Sequence, residues 1–242
     1  MYRAQQNYFR LFPMIEVYAV KIEKDRIITE FDKIFPLLAP EKKDEITKIS
    51  PLIKDIYTLL GEAIIRQSIS KKINCHTSQI KILTDSFGKP YCKHPESCYF
   101  NISHSGEWVV CALENEPVGI DIQKIVKVPR KRMDMIVLRF FHKYEQIEYF
   151  NLKEKDKENF FFTQWALKES YIKLLGNGLS LPLLSFSAFL DQNGRGSISD
   201  GGHIRYFQQY DIDSNYKLVA CSSNSSFPLS VKKITIPSIT KI

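Results

Sequence analysis

A short alternating segment in the middle of the chain places oxygen-bearing side chains next to each other. In Val118–Gln123, apolar residues alternate with Gly119, Asp121 and Gln123. A strand has a side-chain period of two, so these three positions share one face. Side-chain oxygens from Asp121 and Gln123 can hold a hard cation such as Mg²⁺. An ordinary half-exposed strand has the same pattern, so the segment is not diagnostic by itself.

A second set of candidate residues lies on a predicted helix over Phe160–Leu175. Trp165, Glu169 and Lys173 recur every fourth residue and therefore lie along one stripe, with Lys168 one step round the helix. Glu169 and Lys173 would form an unremarkable ion pair on any exposed helix. A tryptophan on the same stripe favours a buried or cleft-facing position for the carboxylate.

Two further segments suit the binding of anions. Phe100–Gly106 packs hydrogen-bonding side chains and a glycine between two apolar runs, and the GxSxG pattern of a serine nucleophile is absent. Ser103 and His104 therefore fit phosphate binding better than nucleophilic catalysis. Phe87–Pro90 predicts a rigid turn carrying one cation, Lys89, which suits a phosphate, a flat base or a plain surface turn.

These residues need helices and strands to position them. Alternation from Met14 predicts a first strand, and Ser50-Pro51 predicts the start of a helix that continues to about Ile69. Another helix is predicted to end near Phe150, and Gly176-Asn177-Gly178 is predicted to end the helix after Leu175. The remaining predicted strands are Tyr99–Ile102, Trp108–Leu113, Val118–Gln123, Ser185–Leu190, Ile204–Gln208 and Lys217–Cys221. The mixture predicts an α+β fold with two lobes of similar size.

Composition excludes several classes of protein. The 242 residues are 44% hydrophobic and carry 34 Lys+Arg against 27 Asp+Glu, a net charge of 34 − 27 = +7, as in an ordinary globular protein. The longest uncharged run, Leu174–Leu190, is interrupted by glycine, proline and serine, so no bilayer span is expected. The N-terminus has no apolar signal core, and the five cysteines suit free thiols in a reducing cytoplasm.

A zinc site is the alternative interpretation of the cysteines. Its ligands would be drawn from Cys75, His76, Cys92, His94 and Cys98. The gap between Cys92 and Cys98 is not a usual zinc-ligand spacing, so loop thiols are preferred.

Five cations fall within nine residues over 124–132, namely Lys124, Lys127, Arg130, Lys131 and Arg132. Such a run attracts a polyanion, which can be a nucleic acid, an anionic membrane, a nucleotide cofactor or an acidic protein, although a solvated loop without function has the same composition. A nucleic-acid-binding protein would also interleave exposed aromatics with these cations. Aromatics such as Phe160–Phe162 instead sit beside apolar residues at helical spacing, as in a core.

Together the four segments resemble one enzyme family. Gly88-Lys-Pro90, Asn101-Ile-Ser-His-Ser-Gly106, Gly119-Ile-Asp-Ile122 and Trp165-Ala-Leu-Lys-Glu-Ser170 with Lys173 occur in the order found in 4′-phosphopantetheinyl transferases of the surfactin-synthetase-activating (Sfp-like) type. The resemblance runs from about Met14 to about Pro228 and includes Leu59-Leu-Gly-Glu62 and Leu181-Pro-Leu-Leu-Ser-Phe186.

The resemblance implies a monomer of two pseudo-symmetric α/β lobes with coenzyme A in the cleft between them. Residues 14–117 would form the N-terminal lobe, 118–242 the C-terminal lobe, and 1–13 a dispensable extension. The family moves the phosphopantetheine arm of coenzyme A to a serine of an acyl- or peptidyl-carrier protein and releases adenosine 3′,5′-bisphosphate. No nucleic acid or membrane partner is expected.

The resemblance also implies roles for individual residues. Asp121 and Glu169 resemble the Mg²⁺ ligands, with Glu169 also the general base, and Gln123 is a third, weaker ligand or a hydrogen-bond partner of a metal-bound water. The phosphate and nucleotide contacts are Lys168 and Lys173 for the pyrophosphate, Ser103 and His104 for the 3′-phosphate, Lys89 and Pro90 beside the nucleotide, and Lys42 for a further phosphate.

Three positions depart from the family pattern. Gln123 stands where a glutamate is common, Glu45 where a cation is common, and Tyr57 where an arginine is common. The loss of a metal-binding carboxylate raises the alternative of a protein that binds coenzyme A without transferring its arm.

Overall fold

The computed structural model describes residues 14–22, 32–38, 43, 53–94, 98–176, 178 and 181–242. The expectations for residues 1–13, Lys42, Glu45, Ser50-Pro51 and Asn177 lie outside these ranges. Within them, helices and strands mix in both halves of the chain, which confirms the α+β class.

The described helices are α1 (Ile53–Ile73), α2 (Arg130–Phe140), α3 (Lys143–Asn151) and α4 (Glu154–Leu175). The described strands are β1 (Glu16–Lys21), β2 (Lys81–Thr84), β3 (Pro90–His94), β4 (Tyr99–Ser105), β5 (Trp108–Glu114), β6 (Val118–Lys124), β7 (Arg195–Asp200), β8 (His203–Tyr210), β9 (Tyr216–Ser222) and β10 (Lys232–Ile234).

Two four-stranded sheets repeat one arrangement. The first has the order β10-β1-β5-β4 and the second the order β6-β9-β8-β7, and β2 pairs with β3 in a separate hairpin. In the first, β1 runs antiparallel to β5 and β5 to β4; in the second, β6 runs antiparallel to β9 and β9 to β8. Each half therefore contains an initial strand, a long helix and a returning hairpin whose last strand pairs with the first.

The sheets lie face to face between the two long helices. On β1, Tyr18 and Val20 pack in the cluster that contains α1, whereas Val17 and Ala19 pack against residues of β6 and β9. On β9, Val219 packs against α4 residues such as Leu167. The layer order is thus α1, first sheet, second sheet, α4, and both faces of the central strands are apolar. Each isoleucine- or leucine-sized side chain buried here stabilises the fold by about 1.5–3 kcal/mol.

The edges of the two sheets are joined by side chains of β4. Alternate residues Asn101, Ser103 and Ser105 share one face of β4, and their side-chain oxygens accept the backbone N–H groups of Ile120, Ile122 and Lys124 in β6 at 3.0, 3.4 and 3.0 Å. The stripe therefore replaces backbone pairing between the sheets and places β4 directly beside β6.

Several predicted elements need correction. Ser185–Leu190 is not a strand, because Leu183–Ser185 forms a 3₁₀ turn and the backbone after it joins no sheet among the described residues. The helix predicted to end near Phe150 is confirmed as α3, which ends at Asn151 and begins where His142 accepts the Tyr144 N–H. α4 begins at Glu154, and its predicted end is confirmed by Gly176 at φ +77°. No helix in the described part of the chain has the length and apolar character needed to cross a membrane.

Candidate active site

β6 and α4 approach each other closely because Gly119 has no side chain. A Cβ at Gly119 would lie 2.0 Å from the Ser170 carbonyl oxygen and 2.5 Å from the Leu174 backbone nitrogen. The predicted polar face of β6 is therefore turned toward the last two turns of α4. This contact places Asp121, two residues along the strand, beside Lys173.

Asp121 is buried at the centre of a hydrogen-bonded cluster. Its Oδ1 accepts from the Lys173 ammonium at 2.5 Å and from the Ser103 hydroxyl at 2.9 Å, and its Oδ2 accepts from the Gln123 amide at 2.7 Å. Lys173 also donates to the Ser103 oxygen at 2.8 Å. The side chain of Asp121 is 3% exposed, so these donors replace most of the hydrogen bonds that water would make to it.

Glu169 lies one turn before Lys173 on the half-exposed stripe of α4. Burial raises the pKa of Glu169, the negative charge of Asp121 raises it further, and the positive charge of Lys173 opposes both. The positive charge of Lys173 therefore acts on both the Asp121 and the Glu169 carboxylates. A divalent cation near the two carboxylates would offset the repulsion between their negative charges. The chemistry of these groups therefore fits a Mg²⁺ ligand set completed by Gln123. The described residues contain no group of three or more His, Cys, Asp and Glu side chains placed to hold a metal.

A cleft of about 260 Å³ opens beside this cluster. One wall is the β2–β3 turn with Phe87, Lys89 and Pro90, and the other is α4 from Glu169 to Gly176, with Asn101 between them. Asp85 stiffens the turn by accepting the Phe87 and Lys89 N–H groups, each at 2.9 Å. Phe87 is 62% exposed, which leaves an uncovered aromatic ring at the cleft.

The ammonium of Lys89 is already bonded within the protein. It donates to the Lys173 carbonyl at 2.6 Å and to the Leu174 carbonyl at 3.0 Å, across the cleft from its own turn. Burial lowers the pKa of Lys89, and Asp85 opposes that shift. Pro90 lines the cleft without such a tie.

Ser103 and His104, expected to act together, lie on opposite faces of β4. Ser103 belongs to the Asp121 cluster, whereas the exposed His104 ring stacks on Tyr57 of α1 with centroids 5.3 Å apart and planes 20° apart. Burial lowers the pKa of His104, the positive charge of Lys173 lowers it further, and Asp121 opposes these effects. β4 therefore places Ser103 and His104 in different surroundings, one beside Asp121 and the other beside Tyr57.

Lys168 is not brought to the cleft. Its ammonium is buried against Glu145 at 2.8 Å and donates to the carbonyls of Leu183 and Phe186 at 2.8 and 2.7 Å. Glu145 and the two carbonyls use all the N–H groups of this ammonium, so Lys168 has no free donor for a pyrophosphate. Lys42 is outside the described residues.

Residue types alone did not reveal Asn101, Ser105 or Glu145. The first two had a signal, since Asn101, Ser103 and Ser105 alternate and must share one face of a strand. Glu145 had none, because it is 168 − 145 = 23 residues from Lys168 and meets it only when α3 packs beside α4.

The comparisons with known proteins cover both halves of the chain. A model described as "4'-phosphopantetheinyl transferase, N-terminal" matches residues 26–116, and one described as "4'-phosphopantetheinyl transferase superfamily" matches residues 117–225. The 4′-phosphopantetheinyl transferase Sfp of Bacillus subtilis (strain 168) is 34% identical over 226 residues, which are 91% of this chain and 98% of that protein. The 4′-phosphopantetheinyl transferase gsp of Aneurinibacillus migulanus is 32% identical over 234 residues, 95% of each chain.

Proposed function

Because this chain belongs to the 4′-phosphopantetheinyl transferase superfamily, we propose that it transfers the phosphopantetheine arm of coenzyme A to a serine of an acyl- or peptidyl-carrier protein. The serine oxygen forms a bond to the β-phosphorus, the bond from that phosphorus to the bridging oxygen breaks, and adenosine 3′,5′-bisphosphate leaves with the electron pair. The observation that carries the proposal is the convergence of Asp121, Glu169 and Lys173 beside the cleft.

The cleft suits the nucleotide and pyrophosphate of coenzyme A. Phe87 and Pro90 offer flat apolar contacts for a base, and Lys173 supplies fixed positive charge at the opposite wall. Phosphoryl transfer depends mainly on positioning and on neutralising negative charge, so a lysine held 2.5 Å from a buried carboxylate suits that task.

Mg²⁺ is proposed as the metal of this site, held by Asp121, Glu169 and, through its amide oxygen or a water, Gln123. When bound it would neutralise charge on the pyrophosphate and on the departing oxygen. Only two of the three side chains are carboxylates, and Mg²⁺ commonly keeps several waters and takes phosphate oxygens when protein ligands are few.

Glu169 is proposed as the general base. It lies on the half-exposed stripe of α4 and lines the cleft, where an incoming serine hydroxyl can reach it. Asp121 cannot take this part as readily because three side-chain donors already occupy its oxygens.

His104 is proposed to contact the 3′-phosphate. Its ring is exposed on the face not covered by Tyr57, and a bound dianion would favour the protonated imidazole that its present surroundings disfavour. Ser103 enters the proposal as a hydrogen-bond partner of Asp121, and Lys168 does not enter it. The role expected for Lys42 stays a prediction.

The carrier protein is proposed to approach the basic side of the C-terminal lobe. Lys131 and Arg132 are exposed on α2, whereas Arg130 is paired with Asp134 at 2.8 Å. Carrier proteins are typically acidic near the target serine, so opposite charge would favour the encounter. The monomeric state, the cytoplasmic location and the absence of nucleic acid and membrane partners stay predictions.

The test is mass spectrometry of a purified apo-carrier incubated with coenzyme A and Mg²⁺. We expect the carrier to gain the phosphopantetheine mass with the wild-type chain, and Glu169→Gln to slow this gain by about 10²- to 10⁴-fold, because it removes the proposed base and a ligand charge. The exposed Glu148→Gln on α3 is the matched control and should transfer normally.

An unmodified carrier in the presence of bound coenzyme A would favour the coenzyme A-binding alternative. Near-normal transfer by a folded Glu169→Gln protein would remove Glu169 from the mechanism.

A further inference from the structure

Lys89 connects the two lobes across the cleft. Its backbone belongs to the turn that precedes β3, while both carbonyls that its ammonium contacts, at 2.6 and 3.0 Å, belong to Lys173 and Leu174 in the last turn of α4. The connection joins the two walls of the cleft directly. Lys173 is therefore held at its backbone by Lys89 and at its side chain by Asp121 and Ser103.

The end of α4 is shaped to receive this cation. Carbonyls in the last turn of a helix have no intrahelical partner, and positive charge is favourable there. Gly176 ends the helix at φ +77°, and a Cβ at that position would lie 3.2 Å from the Lys89 Cδ. The glycine thus supplies both the left-handed backbone and the space in which the Lys89 stem crosses the helix end.

The turn that carries Lys89 is itself stiff. Asp85 accepts the backbone N–H of Lys89 at 2.9 Å, and the Asp85 N–H donates to the Lys89 carbonyl at 3.0 Å. Because the turn is stiff, the Lys89 backbone has a fixed position, and its ammonium can therefore hold the Lys173 and Leu174 carbonyls in place.

We propose that Lys89 is a positioning residue that fixes the end of α4, and with it Lys173, instead of contacting the nucleotide through its own charge. This inference rests on the proposed transfer reaction, in which Lys173 faces the pyrophosphate. Loss of the ammonium leaves two carbonyls without their donor and lets the last turn of α4 fray, so the Lys173 side chain samples positions away from Asp121.

The first test measures whether Lys89 stabilises the end of α4, and it needs no activity assay. Amide hydrogen exchange over residues 172–176 should become faster in Lys89→Met, which keeps the aliphatic stem and removes the charge. Lys93→Met, an exposed lysine on the same hairpin, should leave exchange unchanged, and Lys89→Arg should restore most of the protection. Unchanged exchange in folded Lys89→Met would overturn the proposal.

The second test is a double-mutant cycle with Lys173 in the carrier-modification assay. Lys89→Met should lower kcat/KM by about 10- to 100-fold through misplacement of a catalytic group. In a Lys173→Met background the same change should cost less than about threefold, because the group that it positions is already gone. An equal loss in both backgrounds would overturn the proposal and assign Lys89 to a direct substrate contact.

These outcomes separate the two proposals. If the wild-type chain transfers nothing, the proposed function fails, while hydrogen exchange still decides whether Lys89 holds α4. If Lys89→Met does not fold, both tests are made with Lys89→Arg. Its exchange rates and kcat/KM should stay within about threefold of wild type only if the guanidinium replaces the two hydrogen bonds to the Lys173 and Leu174 carbonyls.

Discussion

At the residue scale, the site is organised by how many donors reach each carboxylate. Asp121 accepts hydrogen bonds from three side chains, whereas burial and the negative charge of Asp121 raise the pKa of Glu169 and Lys173 opposes that rise. We propose that these two acids on neighbouring elements have different tasks, Asp121 as a metal ligand and Glu169 as the proton acceptor. The proposal rests on the direct bonds that Lys173 and Ser103 make to Asp121.

Substitutions at Gln123 and at Asp121 should have very different effects on transfer. Gln123→Glu adds a carboxylate to the proposed metal site, so it should be tolerated and should lower the Mg²⁺ concentration that gives half-maximal transfer. Asp121→Asn should lower transfer by at least about 10²-fold, because it leaves one carboxylate where a cation needs two. A Mg²⁺ titration of carrier modification measures both. The two-carboxylate site is contradicted by an Asp121→Asn protein with wild-type behaviour, or by a Gln123→Glu protein that needs more Mg²⁺.

His104 should contribute to substrate recognition more than to chemistry, because the 3′-phosphate is remote from the reacting phosphorus. His104→Ala should raise the KM for coenzyme A about tenfold, change kcat less, and reduce discrimination against dephospho-coenzyme A, which lacks that phosphate. Unaltered discrimination would falsify the assignment.

Tyr57 should act on His104 through its ring. Tyr57→Phe keeps the stacked ring at 5.3 Å and should behave as wild type, whereas Tyr57→Leu removes the stack and should reproduce part of the His104→Ala effect on KM. Kinetics with coenzyme A and dephospho-coenzyme A measure both variants. A Phe variant as impaired as the Leu variant would instead implicate the buried hydroxyl, which has no hydrogen-bond partner among the described residues.

At the element scale, the direction of α4 decides which of its side chains reach the cleft. Lys168 and Glu169 are adjacent in the chain, yet Lys168 contacts Glu145 and the 183–186 turn while Glu169 lines the cleft. Gly119 sets this orientation by letting the helix backbone rest on β6. If α4 were rotated, Lys168 would lose its buried ion pair with Glu145, and Glu169 would leave the cleft.

Gly119→Ala should therefore be far more damaging than an alanine at an open glycine. The new Cβ would lie 2.0 Å from the Ser170 carbonyl, which is backbone and cannot move alone, so we expect a loss of about 3 kcal/mol or more in the free energy of unfolding. Gly201→Ala has open space and should cost about 1 kcal/mol, from its φ of +55° only. Urea denaturation compares the two. Equal losses would show that α4 can separate from β6 without strain.

At the scale of the whole molecule, the end of the chain returns to the N-terminal sheet. β10 pairs in parallel with β1, and Ile236 and Ile239 enter the core beside α1. These residues lie beyond the 117–225 segment that matches the family. The lobe that begins the chain is therefore completed by residues that end it.

Ile239→Ala should destabilise the molecule although it is remote from the cleft. The side chain is fully buried, so the cavity should cost about 2–5 kcal/mol. Leu229→Ala, at a position 94% exposed, is the control and should change stability by less than about 0.5 kcal/mol. Scanning calorimetry measures both. A wild-type melting temperature in Ile239→Ala would mean that the returning segment does not stabilise the first sheet.

The amino-acid sequence by itself determined the features that depend on local periodicity and on motif order. Alternation in Val118–Gln123 placed Asp121 and Gln123 on one face, the four-residue spacing placed Glu169 and Lys173 on one stripe, and Gly176 ended α4 as expected. The order of the motifs identified the family. Strand and helix periods are properties of the local backbone, so these inferences needed no tertiary contact.

Only the tertiary structure decided where lysine side chains go. Lys168 was expected at the pyrophosphate and Lys89 beside the nucleotide. A long flexible cation bonds whichever acceptors packing brings within reach, and here those are Glu145 for Lys168 and the end of α4 for Lys89. The direction of each neighbouring residue on β4 was likewise decided by what covers each face, β6 for Ser103 and Tyr57 for His104. These partners are 19 to 84 residues away along the chain, a separation at which local pattern carries no information.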